Sequence, residues 1–275
     1  MKLNTEIVDC YLAGNNIEKF KEHWIYKSIG KGEFKGKNIF VKPDLENSEK
    51  IKRIYDEIKQ CLMQFEPFNR ELWDKLFKSW NSILESVEVY LIVGLPEPND
   101  ATVIKNPDGN NVVVLDLGCW AKYIGKYDIT QLVRNLLTHE CGHICIQAEK
   151  PIIDMDYESG DYLKKLNSLI FNEGLAHLLS FCEDINSYDW NNVRISEVKA
   201  KSLSKLKQAI QEVEKEKQEL YIYDAEFGDY YEKFGCMIGM CYFIDIYKSG
   251  TIGDLVKDYI DGHKTIISKI LDFYI

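Results

Sequence analysis

Leu136-Leu137-Thr138-His139-Glu140-Cys141-Gly142-His143-Ile144 is the one run in this chain whose residue types and spacing prescribe a chemistry. It reads His-Glu-x-x-His inside an apolar pattern of helical period. Two histidines four residues apart on a helix can share a zinc ion while the glutamate stands beside the metal-bound water. On a wheel of 100° per residue, His139 and His143 lie about 40° apart and Glu140 about 100° from His139, on the flank where that water would sit. Leu137, Cys141, Ile144, Cys145 and Ala148 take the opposite face, so the helix has a metal side and a core side. Cys141 and Cys145 therefore read as small buried hydrophobes and not as further ligands.

This helix has its own start and stop. Asp128-Ile129-Thr130-Gln131 fits a capping box and Pro151 closes the run, which gives a helix over about 128–149. Before it the apolar period changes to two. Val87, Val89, Leu91 and Val93 alternate as in a strand, stopped by Leu95-Pro96-Glu97-Pro98-Asn99-Asp100. After a turn-rich stretch ending in Pro107-Asp108-Gly109-Asn110, the β-branched run Val112 to Leu117 reads as a second strand closed by Gly118. Further back, Ile51, Ile54, Tyr55, Ile58, Cys61, Leu62 and Phe65 form one face of a helix from Ser48 to Pro67. A second helix starts at Asn69 as N-cap and runs through Leu72, Leu76, Trp80 and Leu84. Residues 1–48 carry only short apolar patches, broken at Gly14, Gly30, Gly32 and Gly36.

Downstream, a helix over about 160–182 carries Phe171-Asn172-Glu173-Gly174-Leu175-Ala176-His177. A long polar helix from Ser196 to about Leu220 has a narrow stripe of Val198, Leu203, Leu206, Ile210, Val213 and Leu220, read as packing along one side of the protein. An apolar helix from about Asp229 to Tyr247 spaces Gly235 and Gly239 one turn apart, so that another backbone can approach it closely. Gly250 is its expected C-cap, and Thr251-Ile252-Gly253-Asp254 a new capping box. The whole is an α+β protein, mainly helical. Residues 1–86 form a helical N-terminal region, and 87–275 a catalytic domain with its strands within 87–118.

The 275 residues include 34 basic and 44 acidic side chains, a formal charge of −10. Such a balance gives no electrostatic footprint for nucleic acid or an anionic membrane. The N-terminus lacks the charged-then-apolar run of a secretory signal, and no uncharged stretch approaches a membrane span, so a cytoplasmic location is expected. The eight cysteines contain no Cys-x-x-Cys pair and read as free, mainly buried thiols. Nothing in these totals bears on oligomeric state.

A catalytic zinc takes three protein ligands and leaves the fourth position to water. Glu173 qualifies as the third. It lies 30 residues after His143 on a helix that can run antiparallel to the first, with Gly174 and Ala176 beside it to permit close packing. A carboxylate among Leu169, Ile170, Phe171, Leu175, Leu178 and Leu179 needs a partner. His23 and His263 have no surroundings that suggest ligation.

With these residues in view the chain resembles the gluzincin metallopeptidases, the thermolysin-like group in which His-Glu-x-x-His is followed by a helix bearing a glutamate ligand. In particular it is similar to bacterial proteins described as predicted zinc-dependent proteases. The resemblance covers about residues 87–250 and rests on His139, Glu140, His143 and Glu173, with Asn172-Glu173-Gly174-Leu175-Ala176 similar to segments of that group. It implies a zincin-like core, one zinc ion per chain, a peptide or protein substrate, and Glu140 as general base. It also implies that the strand Val112 to Leu117 lines the cleft and pairs with an extended substrate. Several members carry Tyr-x-x-Gly on a later helix, whose hydroxyl stabilises the oxyanion. Here Gly235 is preceded at three residues by Glu232 and at four by Tyr231, which makes Tyr231 the first candidate and Tyr230 the next, beside a purely structural role for either. Thermolysin-like members have an aspartate one turn after the ligand glutamate, where it orients a ligand histidine. His177 stands there in this chain, with Asn172 beside the glutamate. Direct contact with metal or substrate, support of a ligand, and packing are the roles open to His177. A metal-binding or regulatory protein that has lost catalysis is the alternative function.

Overall fold

The computed structural model describes residues 1–30, 36–97 and 99–275; Gly32 and Pro98, read from the sequence as breaks, lie outside them. In chain order the elements are β1 (Lys2–Asn4), α1 (Glu6–Leu12), α2 (Ile25–Ser28), α3 (Ser48–Met63), α4 (Arg70–Leu76), α5 (Trp80–Glu85), β2 (Glu88–Ile92), β3 (Ala101–Lys105), β4 (Asn111–Asp116), α6 (Leu117–Trp120) and α7 (Ile129–Glu149). Next come α8 (Ile152–Glu158), α9 (Tyr162–Ser180), α10 (Val193–Ala209), α11 (Lys215–Glu226), α12 (Phe234–Ser249), α13 (Ile252–Asp261) and α14 (Ile266–Tyr274). The protein is α+β and mainly helical. Two compact units make it up: residues 1–67 with 81–144, and residues 68–80 with 145–275.

The first unit is built on a four-stranded sheet in the order β1-β2-β4-β3. Strands β1 and β2 pair in parallel, as do β2 and β4, while β3 lies antiparallel to β4. Two of these strands are not legible in the sequence. Strand β1 is only three residues long, and β3 falls in the stretch read as turn. β3 and β4 form a hairpin whose turn is closed by Asn106, which donates its N–H to the Asn110 carbonyl at 2.9 Å and accepts the Gly109 N–H at 2.9 Å. The pairing corrects one expectation. Val112 to Asp116 is engaged by β2 on one side and by β3 on the other, so this strand cannot also pair with a substrate backbone. β1 and β3 are the outer strands.

Asp116, at the end of β4, ties the sheet to α6 and to the segment after β2. Its Oδ2 accepts the Leu95 N–H at 2.6 Å and its Oδ1 accepts the Cys119 N–H at 2.9 Å, which caps α6. The carboxyl is wholly buried. Burial pushes it up to about 7, against the pull of the Leu95, Cys119 and Gly118 amides.

In the second unit α9 is the central helix, with α8, α11, α12 and α14 against it. Its N-cap is Asp161, which accepts the Lys164 N–H at 3.1 Å. Asn69 does not cap α4 with its side chain. At φ 54° it sits in the left-handed region, donates its side-chain amide to the carbonyls of Leu179 (3.0 Å) and Cys182 (2.9 Å), and accepts the Ile185 N–H at 2.8 Å. It therefore closes the C-terminus of α9. The helix expected over 69–84 is two, α4 and α5, and the polar helix expected over 196–220 is also two, α10 and α11. In the second break the Glu212 carboxylate accepts the N–H groups of Val213 and Glu214, both at 2.9 Å. Val213 and Leu220, expected in the packing stripe, are exposed, as is Ala148 at the end of α7.

The glycine expectation holds. A Cβ on Gly239 would lie 2.3 Å from the Ile170 carbonyl oxygen, and one on Gly235 would lie 2.8 Å from side-chain atoms of Ala225 and Leu169. α12 thus rests directly on α9. The Thr251 capping box forms with Asp254 as the sequence predicts.

Candidate metal centre

α7 starts where Asp128 accepts the Gln131 N–H at 3.1 Å, and Thr130 donates to Glu57 of α3 at 2.9 Å. Leu137, Cys141, Ile144 and Cys145 are buried, so the core side of this helix is the one its wheel requires. Cys141 brings its sulfur 3.9 Å from that of Met1, next to β1. Burial, and then the charge of Glu140, push the Cys141 thiol upward, and its place on the buried face turns it away from the two histidines.

On the other side, the Nε2 atoms of His139 and His143 approach to 3.0 Å with their rings edge to face. Two imidazoles bound to one tetrahedral zinc at 2.0–2.1 Å hold their nitrogens about 3.4 Å apart. The pair fits such an ion after a shift of a few tenths of an ångström. Glu140 is buried at 7 % exposure, so its side chain is a carboxylate removed from bulk water next to the pair in sequence. These three residues lie in the first unit.

In the second unit Glu173 sits near the middle of α9, with Asn172 half-buried beside it. His177 is buried one turn further on, and the two present ligand-type atoms within 4.8 Å of each other. The His177 Nδ1 is 2.9 Å from the Glu173 carbonyl oxygen and 3.5 Å from its Oε2. An Nδ1–H donated to that carbonyl leaves the lone pair of the neutral ring on Nε2. Cys236, on α12, places its sulfur 3.9 Å from the same Oε2. The sequence reading does not single out this thiol. A cysteine one residue after a packing glycine is the signal that could have found it.

Tyr230 and Tyr231 are not on α12 but on a 3-10 turn, Tyr230–Glu232, that precedes it. Lys233, with ψ 83°, separates the two elements. The Tyr230 ring lies 5.5 Å from that of His177. The Tyr231 ring carries the Arg194 guanidinium at 4.0 Å. Of the remaining histidines, His263 is buried with its Nε2 2.8 Å from Asp156 Oδ2, a structural pairing. All eight cysteines are free thiols, six of them buried. Among the described residues no helix is long and apolar enough to cross a membrane.

Residues 4–264 match the family model described as "Putative zinc dependent peptidase (DUF5700)". Neither a curated protein nor a solved structure matches the chain.

Proposed function

The chain belongs to the DUF5700 family, and from that membership we propose that it is a zinc peptidase with a gluzincin-type, zincin-like core, whose ligands are His139, His143 and Glu173. The observation that carries this reading is the pair of Nε2 atoms 3.0 Å apart on α7 with a buried glutamate following the first histidine. His139, His143 and Glu173 would hold the ion, and a zinc held by two imidazoles and one carboxylate would supply acidification of a water and polarisation of the scissile carbonyl. Glu140, the buried carboxylate next to the pair in sequence, would be the group to take a proton from that water and give it to the leaving amine. A substrate carbonyl that gains negative charge needs a donor, and the tyrosines of the 230–231 turn are the candidates. Tyr231 is turned to Arg194, whereas Tyr230 leans on His177. An extended peptide would add to the outer strand β3, since β4 is paired on both sides.

The test is Glu140→Gln in purified protein that cleaves peptides. Turnover is expected to vanish while one zinc per chain is retained, and a variant that still cleaves would sink the assignment. A metal-binding or regulatory protein without turnover is the alternative reading. One zinc per chain with no cleavage across a peptide library selects it.

A further inference from the structure

We propose that Cys236 is a positioning residue for Glu173: its thiol holds one carboxylate oxygen of that glutamate, so that the carboxylate meets a metal ion in a single orientation. The inference rests on the reading of Glu173 as a zinc ligand. Cys236 is wholly buried in the first turn of α12. The backbone contact through Gly174 and Gly239 removes the side-chain layer that normally separates two helices. Without that layer, a residue of α12 can reach a carboxylate on α9.

The Cys236 sulfur has two acceptors in range, the Ala225 carbonyl at 3.3 Å and Glu173 Oε2 at 3.9 Å. It has one hydrogen to give. An ionised carboxylate is the stronger acceptor, and the thiol rotates about one bond to choose between them. The His177 Nδ1, 3.5 Å away, approaches the same Oε2. The one hydrogen on that nitrogen is engaged by the Glu173 carbonyl at 2.9 Å, so the thiol is the donor that α12 brings to this oxygen. Partners that orient a ligand in this way are generally worth about 10–100-fold in metal affinity.

The experiment compares two substitutions by zinc affinity in a chelator competition, with far-UV circular dichroism of the apo proteins as the folding control. C236S keeps a donor; C236V keeps an apolar side chain of similar size and loses the donor. C236V is expected to bind zinc about 10–100-fold more weakly, and C236S within about threefold of the parent. Equal affinity of C236V and the parent, or an equal loss in both variants, overturns the proposal. The S–H stretch of Cys236, isolated by subtracting the C236S infrared spectrum, gives a second readout that needs no apolar variant. It is expected to shift on zinc loading, and a band that does not move overturns the proposal. A parent protein without stoichiometric zinc, or a Glu173→Ala variant with undiminished affinity, overturns the ligand reading itself and is told apart by those controls.

Discussion

Gly174 of α9 and Gly239 of α12 meet backbone to backbone: a Cβ on Gly174 would lie 2.5 Å from the Gly239 Cα, closer than a real Cβ comes to an atom outside its own stretch of chain. The contact joins the helix that bears Glu173 to the one that bears Cys236. Gly239→Ala would press its methyl onto the Ile170 carbonyl, which belongs to backbone and cannot rotate away. Overpacking of this kind costs about 1–3 kcal/mol. The expected outcome is a lower urea midpoint with unchanged helix content, and zinc affinity reduced together with it. A variant as stable as the parent would show that α12 can slide.

Asn69 acts through three hydrogen bonds and one backbone angle. Asn69→Ala leaves the carbonyls of Leu179 and Cys182 without this donor and puts an alanine at φ 54°. Asn69→Gly restores the angle but not the bonds. Both are expected to lose stability, by about 1–3 kcal/mol for the bonds, with alanine the worse of the two. Denaturant melts that rank glycine equal to asparagine would show that the angle alone matters.

Asp116 gives a pH dependence of known sign. Its carboxyl titrates near about 7 in the fold, through burial, against about 3.9 in an unfolded chain. Between those values the folded protein keeps a proton that the unfolded chain has released, so this residue's contribution to stability falls as pH rises through that window. Asp116→Asn is expected to flatten that slope in urea midpoints taken between about pH 4 and about pH 8. An unchanged slope would assign it to other groups.

His263 and Asp156 give the opposite sign. The hydrogen bond from His263 holds the Asp156 carboxyl below its usual range, so the pair's contribution is present above the unfolded carboxylate value of about 3.9. It is lost as pH falls through the lower, folded value. His263→Ala is expected to be less stable than the parent at neutral pH, with a gap that narrows in acid to what the lost packing of the buried ring leaves. Parallel acid melts would contradict the pairing.

The local sequence was enough to determine α7, because a cap at Asp128, an apolar face at helical period and two histidines at i and i+4 are all short-range properties. It determined the Thr251 box and the close-packing role of Gly235 and Gly239 for the same reason. It did not reveal β1 or β3: β1 is only three residues long, and β3 has no fully buried face to impose an alternating pattern. Nor did it reveal the breaks after Leu76 and Ala209, where the apolar stripe continues while the backbone does not.

The candidate site divides in the same way. His139, Glu140, His143 and Glu173 were named from residue type, spacing and local apolar company. The surroundings of Glu173 were decided by tertiary structure: the thiol of Cys236 comes from 63 residues away, and the ring on His177 belongs to Tyr230. Tyr231, preferred on spacing to Gly235, is drawn to Arg194. Spacing along a chain governs which side chains share a helix face, whereas the partner that meets that face depends on how helices pack, and here glycines with no side chain of their own set that packing.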